Sequence, residues 1–391
     1  MAAISAAGPG TEVVLVEGTA DGGRKILISG GGRCNVLPAS LDVSRYVTDS
    51  SPNLLRKMVR AWPLSEQVAF FEKTLGIPLV EEVESVKLFP ASNKARDVRD
   101  GLFDHARSKG VETLMNTRAI RVSRAGTGWS LARADGPPIE FDALIMATGG
   151  LSVPATGSDG FGLGALAELG HTIHPTYAAL TPLTCDPAPF ASLSGVSLVV
   201  TLTARSERRS AVATGGFLFT HRGYSGPAVL DVSHVAVRSK SEPGPRATIR
   251  VRWSPLGDEQ WESAFKPNGA RTVSGAVRAE MPDRLAAALI ESAGVDPLRV
   301  LSELRRDERL RLIDTLVRGV LPWTGDEGYK KAEVTGGGVS LGEVDPRTME
   351  SRMHPNLYIC GELLDAFGPI GGYNFCRAWA TGRAAGIAAR G

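Results

Sequence analysis

GGRKILISGGGRCN, the stretch from Gly22 to Asn35, decides how the whole chain is interpreted. A short apolar run stands here between an Arg-Lys pair and three consecutive glycines, which lead into Arg33, Cys34 and Asn35. Three glycines carry no Cβ atoms, so a flat ligand or a second backbone can pass at contact distance. A bare GGG is equally typical of a flexible surface turn. The flanking residues favour a loop beside an anionic, planar cofactor. The Arg-Lys pair can bind a phosphate, the glycine amides can donate to ring oxygens, and the lack of side chains leaves room for the ring.

TEVVLVE, from Thr11 to Glu17, predicts a buried parallel strand that ends in an acid. In dinucleotide-binding folds the second strand ends in Asp or Glu, whose carboxylate accepts hydrogen bonds from the ribose hydroxyls of the adenosine half. Glu17 occupies that position, and a solvated carboxylate at a strand end is the alternative. Residues 1–8 are typical of the end of a small-residue helix.

The phosphate loop that normally precedes such a strand does not occur in this sequence. A mononucleotide-binding unit begins with a strand and G-x-G-x-x-G, about twenty residues before the acid. That distance, counted back from Glu17, passes Met1. We expect either that the start codon is assigned too late or that the protein lacks its first strand. The Ala-, Gly- and Arg-rich composition is typical of a high-GC coding sequence and favours the first explanation.

Apolar spacing predicts the elements that follow the glycine loop. Helices are expected over 50–75 and 95–109, short strands over 77–90, 111–123 and 129–133, and a buried strand over 140–147 that runs into Thr148-Gly149-Gly150. Glycines after such a strand lie at the carboxyl edge of a parallel sheet, where open α/β folds bind ligands. GSDGFGLG, at 157–164, looks like a displaced phosphate loop, but it does not directly follow a strand. We interpret it as the entry to a helix over 163–169.

The middle of the chain has a different character. Alternating patterns from about Cys185 (SLVVTLTA, FLFTH and ATIRVRW) predict an inserted antiparallel sheet or barrel over 185–275. Two helices with proline and glycine punctuation are expected in a helical subdomain over 276–325. Strands followed by glycines return at 333–341, 357–361 and 371–374, and a helix over 376–388 closes the chain. We therefore predict an α/β fold with a discontinuous Rossmann-like domain, 1–184 and 326–391, that carries both insertions.

Composition narrows the classes of function. The net charge is +2 in 391 residues, so nothing indicates nucleic acid or a membrane surface as a partner. The four cysteines show neither CxxC nor Cys/His ligand spacing, which argues against a metal site and a disulfide framework and fits a reducing cytoplasm. The N-terminal segment lacks a basic region, and no apolar run approaches about 18 residues. We expect a cytoplasmic protein with a small-molecule substrate and no metal.

With these motifs in order, the sequence resembles a bacterial family of FAD-dependent oxidoreductases that contains aminoacetone oxidase and a bile-acid dehydro-intermediate reductase. The motifs that carry the resemblance are GRKILISGGGRCN (23–35), ATGGLSVPATGSDGFG (147–162), LFTHRGYSGP (218–227), EVTGGGVSLGEVDPRTMES (333–351) and YICGELLDAFGPIGGYNFCRAWATG (358–382). The resemblance implies a discontinuous FAD domain interrupted by a β-barrel and a small helical domain. The departure is the N-terminus, where family members carry the strand and the GxGxxG-type loop.

The resemblance also implies a set of FAD contacts. Glu17 would bind the adenosine ribose, and Ala119 would contact adenine through its backbone, with Thr148 and Gly149 beside it. Arg24 and Lys25 would lie near the pyrophosphate, and Gly361 and Glu362 would meet the ribityl-phosphate region, with Asp365 close by. Two segments would border the isoalloxazine: Ser29, Gly30, Gly31, Gly32, Arg33, Cys34 and Asn35, and Gly371, Gly372, Tyr373 and Asn374. The alternatives are plain surface charges for Arg24 and Lys25, and strand filler for Ala119.

A bound flavin supplies the redox chemistry itself, so neither a catalytic triad nor a metal is expected. His221 is the first candidate for a proton donor, followed by Tyr373 and Arg33, although a lone histidine in a β domain is more often structural. Cys34 has no partner thiol within its motif, which favours packing over redox chemistry. We expect an FAD-dependent oxidoreductase with a small organic substrate and NAD(P)H or oxygen as redox partner. The alternative is a flavin-poor or cofactor-free binding protein that results from a truncated N-terminus.

Overall fold

The computed structural model describes residues 1–83 and 86–391. This part of the chain divides into two compact units: unit 1 comprises Met1–Ala178 and Glu333–Gly391, and unit 2 comprises Ala179–Ala332. Every predicted FAD contact lies in unit 1, whereas His221 lies in unit 2. The domain boundaries given by the sequence stay a prediction.

The helices are, in chain order, α1 (Ala2–Ala6), α2 (Arg24–Ile28), α3 (Pro52–Arg60), α4 (Leu64–Ala69), α5 (Ala95–Ser108), α6 (Phe161–Glu168), α7 (Pro227–Ser239), α8 (Asp258–Ala264), α9 (Val273–Val277), α10 (Asp283–Ser292), α11 (Arg306–Arg318) and α12 (Tyr373–Ala389). A π-helical turn, Phe70–Thr74, continues α4, and a tight turn, Ser29–Gly32, follows α2. None of the helices in the described ranges has the length and apolar character that a membrane span needs.

The strands are β1 (Val14–Val16), β2 (Leu37–Pro38), β3 (Leu79–Glu82), β4 (Lys87–Pro90), β5 (Glu112–Leu114), β6 (Ala119–Ala125), β7 (Gly128–Arg133), β8 (Ile139–Phe141), β9 (Leu144–Met146), β10 (Ile173–Ala179), β11 (Leu183–Thr184), β12 (Ser197–Arg205), β13 (Ser210–Thr220), β14 (Gly223–Ser225), β15 (Thr248–Arg252), β16 (Gly319–Val320), β17 (Gly325–Asp326), β18 (Val334–Val339) and β19 (Leu357–Ile359).

Two parallel strand pairs carry the Rossmann-like part of unit 1. β1 pairs with β5, and β9 pairs with β19, so the second half of the discontinuous domain completes the first. Parallel strands depend on helices to cover their faces. α12 contributes to both apolar cores of unit 1, because Ala385 packs in the core that contains Ile359 and Trp379 packs in the core that contains Val98 of α5. The last helix therefore joins the two halves of the domain.

Several elements of unit 1 differ from the expectation. The stretch 22–35 is not loop throughout, because Ile26 and Leu27 pack against the core beside α5 and the chain forms helix α2 there. The strand expected over 140–147 is divided between β8, which is antiparallel to β7, and β9, which is parallel to β19. The glycines at 336–338 lie within β18 and not after it. Of the strands expected over 77–90, Glu84 and Ser85 lie outside the described residues.

Unit 2 is built on an antiparallel sheet with the strand order β16-β15-β12-β13-β14-β11-β17. One chain segment forms both ends of this sheet. Leu321 N donates to Ile249 O of β15, and Thr324 N donates to Thr184 O of β11, each at 2.8 Å. Because residues 319–326 pair with both β15 and β11, the sheet closes into a barrel. The inserted β-barrel is thus confirmed.

Helix α7 was not predicted, because the sequence analysis treated 185–275 as β structure. The valine-rich run AVLDVSHVAV favours a strand by propensity. Pro227 nevertheless begins a helix after Gly226. Val229, Val232 and Val235 have no exposed surface and belong to the core that also contains β12, β13, α10 and α11. The sheet and the helices of unit 2 therefore share one apolar core.

Candidate functional site

Four chain segments meet at the Glu362 carboxylate. Ser152 Oγ and the Thr335 amide donate to Oε1 at 2.7 and 2.9 Å, and Lys25 Nζ donates to Oε2 at 3.1 Å. The Thr335 hydroxyl in turn accepts from the amides of Leu151 and Ser152 at 2.7 and 3.1 Å. These bonds join α2, the turn that follows Thr148-Gly149-Gly150, strand β18 and the turn after β19. Hydrogen bonds to Glu362 therefore connect the predicted cofactor-binding segments.

The network keeps Glu362 ionised. Burial acts to raise the pKa of Glu362, but Lys25 and the hydrogen bonds from Ser152 and Thr335 outweigh it, and that pKa lies below its ordinary value. The side chains of Lys25 and Glu362 are 26% and 13% exposed, so the pair is mostly buried. A carboxylate in this state positions the glycine turns around it and has no proton to give.

The two cations predicted near the pyrophosphate are both paired with carboxylates of the chain. Arg24 Nε lies 2.6 Å from Asp21 Oδ1, and Lys25 pairs with Glu362. Arg24 also donates from Nη1 to Ala155 O at 3.3 Å. A pyrophosphate must therefore compete with these carboxylates for either cation. Neither carboxylate partner was predicted from the sequence, and the phosphate role of Arg24 and Lys25 stays a prediction.

Gly31 and Gly361 leave open space where a side chain would begin. Their φ angles are 68° and 69°, a region that glycine adopts without strain. Apart from the chain neighbours, no atom of a described residue lies within 4 Å of an ideal Cβ at either position. Helix α12 holds Gly361 from one side: its amide donates to Thr381 Oγ1 at 3.1 Å, and its carbonyl accepts from Arg377 Nη1 at 2.6 Å. The described residues therefore leave the backbones of Gly31 and Gly361 open on the Cβ side.

The two segments predicted to border the isoalloxazine are bonded to each other. With its amide oriented to satisfy both neighbours, buried Asn35 accepts from Gly372 N at 2.9 Å and donates to Leu37 O at 3.2 Å. Asn374 bonds both the amide and the carbonyl of Gly368, each at 2.9 Å. The segments 29–35 and 371–374 are therefore brought together, as a shared ligand requires.

Arg33 and Cys34 have different surroundings. Arg33 Nη1 lies 2.9 Å from Glu82 Oε1, and its guanidinium carbon lies 4.1 Å from the centre of the Phe89 ring. Cys34 is fully buried, and burial raises the pKa of its thiol to about 12. A thiol that is protonated at neutral pH is a poor nucleophile, which favours packing as the role of Cys34.

The two remaining candidates for proton transfer differ in exposure: Tyr373 is buried in unit 1, and His221 is exposed in unit 2. Tyr373 is 5% exposed, and its hydroxyl oxygen accepts from Asp42 N at 3.3 Å. Its ring stands edge-on to Tyr46, with ring centres 5.5 Å apart. Such a hydroxyl is better explained as a packed anchor than as a proton donor. His221 is exposed, in the turn between β13 and β14 of unit 2.

The predicted adenosine end lies at the carboxyl end of β1. Glu17 Oε1 accepts from Thr19 N and from Thr19 Oγ1, both at 2.7 Å. Thr117 N donates to Glu17 O at 2.9 Å, which brings the chain before Ala119 alongside. Because both bonds go to Oε1, the second carboxylate oxygen of Glu17 has no hydrogen bond from the described residues. Gly149 follows β9, and an added Cβ there would lie 2.9 Å from Ser158 Oγ.

Asp365 has a structural task. Its Oδ2 accepts from Thr48 Oγ1 and Asp49 N at 3.0 Å, and from the Ser50 amide and hydroxyl at 2.8 Å. The side chain is 2% exposed. Asp365 therefore ties the segment 48–50 to the turn after β19, which leaves it little capacity for a cofactor.

Several residues of this region were missed from the sequence. Ser152 and Thr335 lie within the motifs 147–162 and 333–351, of which only residues at 148–149 were predicted to contact FAD. Arg377 is 1% exposed, burial lowers the pKa of its guanidinium, and its Nε has no hydrogen-bond partner among the described residues. Glu333 begins the EVTGGG motif and was not considered.

These residues fit an FAD group. The joined segments with the open position at Gly31 offer contact to a flat ring, the open position at Gly361 offers contact to the ribityl chain, and the free carboxylate oxygen of Glu17 offers a hydrogen bond to a ribose. The described residues contain no cluster of three His, Cys, Asp or Glu side chains that could hold a metal ion.

Comparison with known proteins gives the same assignment. A family model described as "HI0933-like protein Rossmann domain" matches residues 1–388. The chain is 32% identical to a ribosomal RNA dihydrouridine synthase from Escherichia coli, over 95% of this chain and 90% of that protein. It is also 32% identical to a 3-dehydro-bile acid delta(4,6)-reductase from Clostridium scindens, over 97% of this chain and 92% of that protein.

A quinol-fumarate reductase with menaquinol molecules resembles the structure with a TM-score of 0.50 and 13% identity, covering 99% of this chain and 68% of that one. At this identity the likeness concerns the fold alone. With the family match over nearly the whole length, the chain belongs to the HI0933-like family of FAD-binding Rossmann proteins, a family of FAD-dependent oxidoreductases.

Proposed function

We propose that the protein is an FAD-dependent reductase that adds two hydrogens to a carbon–carbon double bond conjugated with a carbonyl group. The observation that carries this proposal is the chemistry shared by the two relatives. Dihydrouridine is a uridine whose ring double bond has gained two hydrogens, and a delta(4,6)-reductase of a 3-dehydro compound acts on ring double bonds near a ketone. In both substrates the double bonds are conjugated with a carbonyl group, so they are electron-poor and accept hydride.

The residues of the site support this reaction because they position the cofactor ring and the turns around it. When bound, FAD supplies the hydride chemistry at its ring nitrogen. The segments 29–35 and 371–374 orient the ring, and the network around Glu362 fixes the turns at Ser152 and Gly361. Cys34 has a protonated, buried thiol, so the residues near the ring favour hydride transfer without a thiol intermediate. NAD(P)H is the reductant that we propose for the cofactor.

A small unsaturated ketone is the substrate class that we favour, in line with the sequence analysis. A uridine within ribosomal RNA is the second candidate, because the Escherichia coli relative is matched over nearly the full chain. The expectation of no nucleic-acid partner rested on net charge alone, and the relative's name gives a reason to test it.

The test is anaerobic reduction of the FAD-loaded protein with NADH or NADPH, followed by reoxidation with a 4-ene-3-ketosteroid or with a ribosomal RNA transcript. We expect rapid flavin reduction and a product that mass spectrometry shows to have gained two hydrogens. Reoxidation by oxygen alone, together with oxidation of an amine substrate, would identify an oxidase and contradict the proposal. A preparation without bound flavin that cannot be reconstituted would favour the cofactor-free alternative.

A further inference from the structure

One face of the unit 2 barrel carries no acidic residue. The strands β12, β13, β15 and β16 contain neither aspartate nor glutamate. Leu202 and Val251 pack in the core of unit 2, so the alternate residues of their strands point outward. We define the outer face as Val199, Thr201, Thr203 and Arg205 of β12, Ser210, Val212 and Thr214 of β13, Thr248, Arg250 and Arg252 of β15, and Val320 of β16.

Strand pairing arranges the outer face in rows. Thr203 of β12 lies opposite Val212 of β13 and opposite Arg250 of β15. Arg250 in turn lies opposite Val320 of β16. Residues directly opposite each other on paired strands share one face and are neighbours. Val212 and Val320 are 67% and 59% exposed, so this row places a guanidinium and a hydroxyl between two valines that water reaches.

The three arginines of the outer face have no carboxylate partner among the described residues. Arg205 is exposed at the end of β12. Arg250 Nη1 donates to Arg318 O at 3.3 Å, and Arg318 is itself bonded to two carboxylates, so these acids are already paired. Arg252 Nε is buried without a hydrogen-bond partner among the described residues. The positive charge of the outer face is therefore open to an anionic partner.

This combination of side chains matches single-stranded RNA. A guanidinium binds phosphate oxygens through two parallel hydrogen bonds, and threonine hydroxyls donate to the same oxygens. The sheet faces of small barrels and of other RNA-binding folds hold single strands whose bases pack on the sheet. A carboxylate within such a row would repel the phosphates, and these four strands have none. The net charge of +2 is an average over the chain and does not exclude a local surface of this kind.

We propose that the outer face of unit 2 binds single-stranded RNA. This inference rests on the second substrate candidate of the proposed function, a uridine within ribosomal RNA. The arginines and threonines contact the phosphate chain, which holds an RNA without reading its base sequence. The exposed valines contact bases and riboses. The outer face is thus a docking surface and supplies no residue to the reaction.

The test measures binding of a fluorescein-labelled single-stranded RNA of about 20 nucleotides to the full-length protein, by anisotropy at salt concentrations from about 50 to 300 mM. Two triple variants remove the same charge from unit 2. The face variant carries Arg205→Gln, Arg250→Gln and Arg252→Gln, and the control variant carries Lys266→Gln, Arg278→Gln and Arg306→Gln, at exposed positions in the helical part.

We expect the face variant to bind this RNA about 30-fold more weakly than the parent at about 50 mM salt. The slope of log Kd against log salt should fall by about 2, because three phosphate contacts are lost. The control variant should bind within about threefold of the parent. Equal weakening in both variants would show that overall charge alone attracts the RNA and would overturn the proposal.

Single variants at exposed positions keep the test independent of folding, because Arg252 is half-buried. Val212→Glu places a carboxylate opposite Thr203 and should weaken RNA binding about tenfold. Leu298→Glu, at a 76% exposed position outside the barrel strands, introduces the same charge and should leave binding within about twofold of the parent. Circular dichroism melting should be the same for both, and equal RNA affinities would contradict the proposal.

These measurements need neither a reduced flavin nor a double bond, which separates the inference from the proposed function. RNA binding that depends on the outer face upholds the inference even if the protein reduces no unsaturated substrate and the proposed function fails. A parent that reduces cyclohex-2-en-1-one but binds no RNA at about 50 mM salt would keep the proposed function and overturn the inference. Binding to phosphatidylglycerol vesicles and not to RNA would identify a membrane surface as the partner and would overturn it as well.

Discussion

Lys25 and Glu362 form the mostly buried ion pair on which the site depends. Replacing Glu362 by Gln leaves the ammonium of Lys25 without its partner charge and weakens the bonds to Ser152 and Thr335. Removing one partner of a buried pair lowers the free energy of unfolding by about 3–5 kcal/mol, and the 26% exposure of Lys25 favours the low end of that range. We expect this loss in Glu362→Gln at pH 7, measured by denaturant titration. In the double variant with Lys25→Met the loss should be smaller than in Glu362→Gln alone.

The same pair predicts a pH dependence. Because the folded-state pKa of Glu362 is lowered, its contribution to stability is fully present above the ordinary value of 4.5 and disappears as pH falls through the lowered pKa. The stability difference between the parent and Glu362→Gln should therefore narrow below about pH 4.5. A difference that stays constant from pH 7 to pH 3 would contradict this account of the network.

Gly31 predicts the position of the ligand. Valine there places a branched side chain in the open space above the turn, so Gly31→Val should abolish retention of FAD. Gly76 is a matched control, because it has the same φ of 68° and an equally open Cβ position. Both variants should lose about 1–3 kcal/mol of stability from backbone strain. Flavin content after gel filtration should fall only in Gly31→Val, and equal flavin content in both would show that the turn has no cofactor role.

Individual residues were the hardest part to predict from the sequence. Glycine patterns located the turns at 29–32 and 370–372, because a missing Cβ is visible in the sequence itself, but the glycines at 336–338 lie within β18. Partners were not visible: nothing in the sequence shows that Lys25 is bonded to Glu362, or that the Asp365 carboxylate is occupied by residues 48–50. These pairs join positions far apart in the chain, and only the tertiary fold brings them together.

Helix α7 supplies a large part of the apolar core of unit 2. Val235 has no exposed surface in the core between α7 and the sheet, whereas Val199 on β12 is 63% exposed. Val235→Ala should lower the opening free energy of residues 227–239 by about 2 kcal/mol, since it removes buried methyl groups and leaves a cavity. Val199→Ala should change it by less than about 0.5 kcal/mol. Hydrogen exchange followed by mass spectrometry reports both values, and equal effects would contradict a buried position for α7.

Elements with periodic apolar spacing were predicted well, and exceptions have a common cause. The helices α5, α10 and α11 follow the expected spacing, because each buries one face. Most residues of α7 are buried, so its apolar residues are not confined to one face, and its valines suggest a strand. Residues 140–147 were predicted as one strand, because the bend at Asp142 leaves the apolar run almost unbroken. Tertiary packing decided these cases against local propensity.

The chain consists of a discontinuous domain and an insertion, and hydrogen bonds hold the two ends of the insertion close together. In unit 2, β11 pairs with β17, and Glu327 N donates to Pro182 O at 3.2 Å. In unit 1, Ser340 N donates to Thr172 O at 2.9 Å, and Gly336 of β18 packs against the Tyr177 ring of β10. The strands β10 and β18 therefore run in opposite directions, so the chain leaves unit 1 and returns to it at one end of this strand pair. A short connection can replace the insertion.

We predict that a chain in which a short Gly/Ser linker replaces residues 180–331 folds and retains FAD within about tenfold of the parent affinity, because every predicted FAD contact lies in unit 1. Residues 179–332, expressed alone, should also unfold cooperatively, because their apolar core draws on unit 2 residues only. Circular dichroism melting tests both chains, and fluorescence titration with FAD and with FMN tests the first. FAD should raise the melting temperature of the linked chain, and FMN should not, since Glu17 acts only on an adenosine ribose. A folded linked chain that binds no FAD, beside a parent that does, would show that residues 180–331 are required for the cofactor.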